Sequence, residues 1–162
     1  MSSQVLSTQA SLPALDAWVR LLHGYTAARK TLSAQLQEEH CLTVNDYEAL
    51  LRLARAENGM MRRVDLAGSL LLTPSGVTRL LEGLERAGYV AKGTCASDAR
   101  VTYAVLTEEG RAKFDEASCS HVASIREHFE SRFSDEELTT LAELLSRIGG
   151  TADGSECTAE SS

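Results

Sequence analysis

The segment from Thr73 to Gly88 constrains the fold most strongly, because it carries the start, the periodicity and the end of one amphipathic helix. Thr73 is a favourable N-cap, and Pro74 stands at the first helical position, where its missing N–H costs nothing. Gly88 is suited to end the helix, since glycine tolerates the left-handed backbone found there. Four apolar residues recur at helical spacing and predict one buried face: Val77, Leu80, Leu81 and Leu84.

Two β-prone runs follow this helix, at residues 89–94 and 101–106, with a polar, turn-rich segment between them. They predict a β-hairpin, and residues 60–62 could add a single edge strand. A short helix is predicted over residues 64–71 on the spacing of four apolar residues: Val64, Ala67, Leu70 and Leu71. A brief turn joins it to the helix that begins after Thr73. Two short helices followed by a hairpin form a winged helix-turn-helix.

Helical patterns predict four further helices. The stripe over residues 12–40 would make a helix roughly 40 Å long, too long for a small domain to cover, so we expect it to pack on a partner chain. Thr43 can cap the next helix, and Thr107 begins another after the hairpin. Ser134 and Glu137 form a capping box for the last. The sequence therefore predicts a mainly α fold with a small β-hairpin wing (α+β), containing six helices.

The charge of the chain is unevenly distributed. The net charge is −7, which at first argues against a nucleic-acid partner. Residues 60–105, however, contain six basic and four acidic residues, so this stretch carries +2 and the remainder −9. The distribution of charge matters more than its total for binding a polyanion. The net-basic stretch coincides with the predicted winged helix-turn-helix.

Composition indicates a globular protein, which we expect in the cytoplasm. Hydrophobic residues make up 43% of the chain and charged residues 24%, close to the averages of globular domains. No run reaches the roughly 20 apolar residues of a membrane span, and no secretory signal is visible. Four scattered cysteines without a CxxC pair predict free thiols. We expect a flexible N-terminus at residues 1–11, a single domain over residues 12–148 and a disordered tail over residues 149–162.

The first turns of the helix after Thr73 fit the requirements of DNA recognition. Such a helix enters the major groove with its N-terminal turns, where small polar residues allow close approach and a long cation reaches a base or phosphate. Free N–H groups at the helix start could add a phosphate site. In the hairpin, Arg100 could enter the adjacent minor groove, held by Asp98. The helix leaves four candidate contact residues exposed: Ser75, Gly76, Thr78 and Arg79.

Three runs in this sequence closely resemble the MarR family of transcriptional regulators: Leu72 through Val90, Asp98-Ala-Arg100 and Ala104-Val-Leu-Thr-Glu-Glu-Gly110. The resemblance extends from about Leu12 to Ile148. It implies a homodimer, with dimerisation helices at residues 12–40 and 107–148 and a DNA-binding lobe at residues 43–106. It further implies a ligand-responsive repressor of a pseudo-palindromic double-stranded DNA operator. It assigns the DNA contacts to Ser75, Gly76, Thr78, Arg79, Asp98 and Arg100.

The resemblance also implies an effector. Family members bind small aromatic or phenolic ligands between the dimerisation helices and the DNA-binding lobe, and the candidate lining residues here are Trp18, His23, Tyr25 and Asp65. Aromatic residues at helical spacing also fit ordinary packing. A thiol switch is a second option, with Cys95 in the hairpin and Cys41 beside His40 as candidates. No histidine cluster has metal-ligand spacing, so we expect neither a metal nor a cofactor.

Two other classes of protein compete with this interpretation. We do not expect an enzyme, because the sequence contains no nucleophile elbow, zinc-protease motif, phosphate-binding loop or dinucleotide fingerprint. The alternative is a winged-helix protein-interaction module without specific DNA binding, which the acidic remainder of the chain fits. Binding that weakens steeply with salt, and on substitution of Arg79 or Arg100, would distinguish a DNA-binding protein from such a module.

Overall fold

The computed structural model describes residues 12–70, 72–94 and 100–149. Within these ranges the chain forms six α-helices and a three-stranded sheet, which confirms the predicted mainly α fold. The helices are α1 (Pro13–His40), α2 (Val44–Arg55), α3 (Arg63–Leu70), α4 (Pro74–Arg86), α5 (Glu108–Glu130) and α6 (Asp135–Gly149). The strands are β1 (Met60–Arg62), β2 (Val90–Thr94) and β3 (Thr102–Leu106).

The chain divides into two compact units, the first ending at Ser124 and the second beginning at Ile125. The predicted flexible N-terminus, residues 1–11, lies outside the described residues. So does the predicted tail except for Gly149, which is the last residue of α6. No helix among the described residues is long and apolar enough to cross a membrane.

The sheet is antiparallel, in the order β1-β3-β2. Val90 of β2 pairs with Leu106 of β3, and Met60 of β1 pairs with Val105 of β3. The strand predicted at residues 60–62 is therefore an edge strand, as expected. We call the hairpin of β2 and β3 the wing. Because β3 is the central strand, the wing is paired through Tyr103, Ala104 and Val105 with β1, the strand that follows α2.

The core of the first unit is built mainly from leucines of the helices. Five are fully buried: Leu36, Leu50, Leu53, Leu66 and Leu81. Burying one such side chain contributes roughly 1.5–3 kcal/mol relative to leaving it in water. In α3 the predicted apolar face was wrong at Val64, which is 73% exposed, whereas Leu66 and the predicted Leu70 are buried. The predicted Leu71 lies outside the described residues. A helix of two turns carries too few residues for its period to fix the buried face.

Thr107 joins the start of α5 to the end of the wing and to the end of α4. Its hydroxyl donates to the carbonyl of Gly88 at 2.6 Å, and the same oxygen accepts the N–H of Gly110 at 3.0 Å. Its own N–H donates to the carbonyl of Tyr89 at 3.1 Å. Gly110 is required at this joint because a Cβ atom there would lie 2.0 Å from the Tyr89 carbonyl oxygen.

Helix α1 presents a long apolar stripe to solvent. The exposed fractions are 58% for Leu15, 56% for Trp18, 42% for Leu22 and 59% for Tyr25. Farther along the helix Leu36 is fully buried in the core of the first unit. Between these regions Arg29 donates a hydrogen bond of 2.7 Å to the side-chain oxygen of Asn45, which attaches α1 to α2.

The second unit contains the end of α5 and the whole of α6. The predicted capping box is present, since the N–H of Ser134 donates to Glu137 at 2.9 Å and the N–H of Glu137 donates to Ser134 at 3.3 Å. The N–H and the hydroxyl of Ser134 both donate to the carboxylate of Glu137, and these two hydrogen bonds lower the pKa of that carboxyl group. The unit has its own exposed apolar side chains: Phe133, Leu144, Leu145 and Ile148.

Candidate nucleic-acid interface

The first turn of α4 is fixed by its cap. The hydroxyl of Thr73 accepts the N–H of Gly76 at 3.1 Å, and the Thr73 carbonyl accepts the N–H of Val77 at 3.0 Å. Pro74 has no N–H to offer. Among the described residues, the N–H of Ser75 is therefore the remaining backbone donor of this turn. The cap makes the helix start rigid, and it leaves fewer donors for a phosphate than the sequence suggested.

The candidate residues of α4 lie on its solvent side. Val77, Leu81 and Leu84 are buried on the opposite side, at 4%, 0% and 3% exposure. The four candidates differ in detail: Ser75, Thr78 and Arg79 are exposed and Gly76 is half-buried. A Cβ atom at Gly76 would lie 3.1 Å from the Thr73 hydroxyl, so a side chain there would crowd the cap.

Arg79 is available to a ligand, whereas Thr78 is already engaged. The guanidinium of Arg79 makes no hydrogen bond or ion pair with any residue in the described ranges. The hydroxyl of Thr78 donates to the carbonyl of Pro74 at 2.9 Å, so its proton is already used within the helix. An unengaged guanidinium on a rigid, exposed helix face is the group best suited to a guanine edge or a phosphate.

The wing brings further cations to the first unit. Arg100 is exposed and stands two residues before the start of β3, and Lys92 of β2 has 61% of its side chain exposed. Asp98, the proposed partner of Arg100, lies outside the described residues, as does the rest of the turn at residues 95–99. The structure therefore describes five of the six residues predicted to contact DNA.

One ion pair between α3 and α4 was not predicted from the sequence. Arg63, the first residue of α3, pairs with Glu85 in the last turn of α4, and the second carboxylate oxygen of Glu85 lies 3.9 Å from the ammonium of Lys92. Charged residues are frequent on the surface of any helix, so the sequence alone gave no signal that these three would meet.

A buried histidine pair was also missed. His40 at the end of α1 and His121 in α5 are only 8% and 7% exposed, and the Nδ1 atom of each is buried without a hydrogen-bond partner. The ring of His121 lies 4.5 Å from the ring of Tyr47. Burial lowers the pKa of His121, and the charge of His40 lowers it further. The sequence places these histidines far apart, so spacing could not reveal the pair.

The candidate effector residues do not form a closed site in this chain. Trp18 and Tyr25 are more than half exposed, and His23 and Asp65 are exposed as well. The hydroxyl of Tyr25 accepts a hydrogen bond of 3.1 Å from Arg29, whose guanidinium lies 5.9 Å from the Tyr25 ring centre. The described residues contain no group of three or more histidine, cysteine or acidic side chains placed to hold a metal ion.

Comparison with known proteins identifies relatives along most of the chain. The model of the MarR family matches residues 42–102. AbsC, a MarR family transcriptional regulator from Streptomyces coelicolor, is 35% identical, with a TM-score of 0.75 over 83% of this chain and 90% of AbsC. The match to AbsC therefore covers more of the chain than the family model does.

Two further relatives carry functional descriptions. Sco3205, a MarR family transcriptional regulator from Streptomyces coelicolor whose structure was solved in complex with DNA, is 26% identical, with a TM-score of 0.76 over 86% of this chain and 87% of Sco3205. YetL, an HTH-type transcriptional repressor from Bacillus subtilis, is 29% identical over 104 residues, which are 64% of this chain and 62% of YetL. All three relatives are named as transcriptional regulators or repressors.

Proposed function

This chain belongs to the MarR family of transcriptional regulators, and from that premise we propose that it is a homodimeric repressor that binds a pseudo-palindromic DNA operator. The observation that carries the proposal is the outer face of α4. The capped start of the helix presents small polar side chains and the unengaged guanidinium of Arg79 on this face. The opposite face is buried in the core. This is the arrangement that a recognition helix needs to enter a major groove.

Each candidate residue has a distinct part in the proposed contact. Ser75 supplies a hydroxyl and the remaining backbone N–H of the first turn, and Gly76 lets the backbone approach the groove wall. Thr78 offers its methyl group to a thymine, and Arg79 contacts a guanine edge or a phosphate. Arg100 of the wing, oriented by Asp98, enters the minor groove beside it.

A second copy of this chain is the proposed occupant of the apolar stripe on α1. Leu15, Trp18, Leu22 and Tyr25 expose roughly half of their surface, and monomeric proteins rarely leave so continuous an apolar face in water. The exposed apolar residues of α6, described above for the second unit, give the C-terminal helices a face of the same kind. A two-fold dimer would place two recognition helices on half-sites about one DNA turn apart.

A small aromatic or phenolic effector would bind where α1 approaches the DNA-binding lobe. Trp18, Tyr25, His23 and Asp65 are open to solvent in one chain, so they would enclose a ligand only when a second subunit covers them. Arg29 and Tyr25 already contact one another there, and a phenolic or carboxylate ligand would compete for that guanidinium. Binding would favour one of two dimer geometries and so change the spacing of the recognition helices.

The test is specific DNA binding by the intact protein. Labelled DNA from upstream of the gene and a scrambled fragment of equal length are titrated at about 0.15 M salt, which screens weak non-specific attraction. Retention of the native fragment alone, at one dimer per site, is the expected result. If the native fragment is not retained, the protein is used to select binding sites from random sequences. Failure to enrich any sequence would overturn the proposal in favour of a protein-binding module.

Variants of α4 identify the contact. Arg79→Ala should weaken operator binding by about 1–3 kcal/mol, on the order of 10- to 100-fold. Arg86→Ala is the matched control, because it removes the same charge from the last turn of the same helix, away from the predicted groove contact. Equal losses for the two variants would mean that only net charge matters and that α4 does not read the operator.

A further inference from the structure

Glu85 connects three elements of the DNA-binding lobe. It lies in the last turn of α4, its Oε1 accepts a hydrogen bond from Arg63 at the start of α3, and its Oε2 lies 3.9 Å from Nζ of Lys92 in β2. One carboxylate thus ties the recognition helix to the preceding helix and to the first strand of the wing. None of the three side chains lies in the outer face of α4 that carries Ser75 and Arg79.

The Arg63–Glu85 pair is shielded from water to a degree that ordinary surface pairs are not. The side chains of Arg63 and Glu85 are 22% and 18% exposed, whereas those of Arg20 and Asp16 on α1 are 78% and 57% exposed. The Nε atom of Arg63 is buried without a hydrogen-bond partner. Removing Glu85 would therefore leave a largely buried guanidinium without its counter-charge. For this reason the Arg63–Glu85 pair constrains the orientation of α4 more strongly than an exposed ion pair would.

Because α4 and the wing would have to engage one duplex together, their mutual orientation matters for recognition. Arg79 lies six residues before Glu85, about 9 Å along the helix axis, and Arg100 lies at the far end of the wing. A small rotation of α4 against β2 near Glu85 would displace the two arginines relative to each other. The contacts of α4 with the major groove and of the wing with the minor groove could then no longer form together on one duplex.

We infer that Glu85 is a positioning residue for operator recognition, which holds α4 and the wing at the angle at which both fit one operator. The inference rests on the proposed DNA-binding function. The inference predicts opposite changes in the affinity for non-specific DNA and in the affinity for the operator. An acidic residue among DNA-binding cations lowers the attraction for any DNA, so its removal should strengthen non-specific binding. Removing Glu85 should nevertheless weaken binding to the operator, because the geometry is lost.

Glu82 provides the matched control. It lies one turn earlier on α4 and is exposed, and its carboxylate forms no ion pair with any residue of the described ranges. Glu82→Gln and Glu85→Gln remove the same charge from the same helix, and glutamine keeps the size of the side chain. The measured quantity is the ratio of the affinity for the operator to the affinity for a scrambled duplex, at one salt concentration. A stoichiometric titration gives the fraction of active dimer in each preparation, and both affinities are corrected for it.

The expected result is that Glu85→Gln lowers this ratio about tenfold, with affinity for scrambled DNA unchanged or increased. Glu82→Gln should leave the ratio at the wild-type value. A wild-type ratio in Glu85→Gln would overturn the inference while leaving the proposed function intact. Absence of any operator preference in the wild type would instead remove the proposed function, and the role of Glu85 would fall with it.

A double-mutant cycle separates positioning from a loss of folding. If Glu85 aligns the wing, Arg100→Ala should cost several-fold less operator affinity in the Glu85→Gln background than in the wild type. A residue that only stabilises the fold would give additive effects once both proteins are shown to be folded by circular dichroism. Additivity within the error of the measurement would therefore also overturn the inference.

Discussion

The Nε2 atom of His40 lies 2.5 Å from the hydroxyl oxygen of Ser120, and this contact attaches the last turn of α1 to α5. The hydroxyl oxygen of Ser120 also lies 3.3 Å from the carbonyl of Ala117, which can accept its proton when the imidazole N–H donates to the serine. The remaining nitrogen of His40 lies 3.7 Å from the carboxylate of Glu116, and His121 is buried nearby on the same helix. The end of α1 is therefore held by a buried imidazole, His40, whose charge also acts on the buried His121.

The first prediction concerns acid stability. Burial and the charge of His40 lower the pKa of His121 below its ordinary value of 6.5, so the unfolded chain takes up a proton at a pH where the folded chain does not. The free energy of unfolding should therefore fall as the pH drops through about 6.5, by up to roughly 1.4 kcal/mol per pH unit. Urea denaturation at fixed protein concentration between about pH 7.5 and pH 5.5 measures it.

Replacing His121 checks the assignment. His121→Phe keeps a ring against Tyr47 but cannot be protonated, so its unfolding free energy should depend less on pH than that of the wild type. His23→Gln removes an exposed histidine of α1 and should leave the slope near that of the wild type. An unchanged slope in His121→Phe would assign the acid sensitivity to another group.

The second prediction tests the joint at Thr107. In Gly110→Ala the new Cβ would meet the Tyr89 carbonyl oxygen at 2.0 Å and its carbonyl carbon at 2.8 Å, and a backbone atom cannot swing aside. We expect a loss of about 3 kcal/mol or more in unfolding free energy. Gly83→Ala in α4 is the control, since nothing lies within 4 Å of its Cβ. It should stabilise the protein by about 0.5–1 kcal/mol.

The third prediction tests the cap of α4. Thr73→Ala removes the acceptor of the Gly76 N–H and should lower the unfolding free energy by about 1 kcal/mol. Thr73→Ser retains the hydroxyl and should recover most of this loss. Thermal unfolding of the three proteins at one concentration is sufficient. A serine variant as unstable as the alanine variant would show that the methyl group, and not the cap, provides the stability.

The fourth prediction tests the attachment of α1 to α2. A double-mutant cycle of Arg29→Ala and Asn45→Ala should give a coupling of about 1 kcal/mol, because the hydrogen bond is charge-assisted and half-buried. The same cycle on Arg20 and Asp16, an exposed pair within α1, should give less than about 0.5 kcal/mol. Equal couplings in the two cycles would contradict the assigned role of Arg29.

The fifth prediction tests the proposed homodimer. Trp18→Glu places a charge in the exposed apolar stripe and should raise the dimer dissociation constant by about 100-fold or more. Ala27→Glu lies on the opposite face of α1, also exposed, and should leave the constant within a few-fold of the wild type. Sedimentation equilibrium over a range of concentrations measures both. A wild-type protein that sediments as a monomer at micromolar concentration would exclude the interface.

Local signals in the sequence predicted the parts of the fold that local interactions determine. Thr73, Pro74 and the apolar spacing after them fixed the start and the buried face of α4, because capping and helical periodicity act within a few residues. The wing followed from two β-prone runs and one turn. The face of α3 was not predictable, since Leu66 is buried by packing against other helices and its own neighbours carry no period long enough to show it.

Contacts between distant residues explain the rest. Arg63 and Glu85 are 22 positions apart and His40 and Ser120 are 80 apart, so only the assembled tertiary structure brings them together. The outer face of α4 could be predicted because exposure follows directly from the buried face of the same helix. The residues that hold this face at its angle could not, because any charged surface residue has the same appearance in a sequence.

The two sides of α4 contribute differently to the stability of the fold. Val77, Leu81 and Leu84 are held by the core, whereas the side chains of Ser75 and Arg79 contribute almost nothing to it. Substitutions at these outer positions leave the unfolding free energy nearly unchanged, so a lineage can exchange them without first acquiring a compensating mutation. After gene duplication, exchanges on the face proposed to read the operator would therefore let two descendants diverge in their promoters while their folds stay the same.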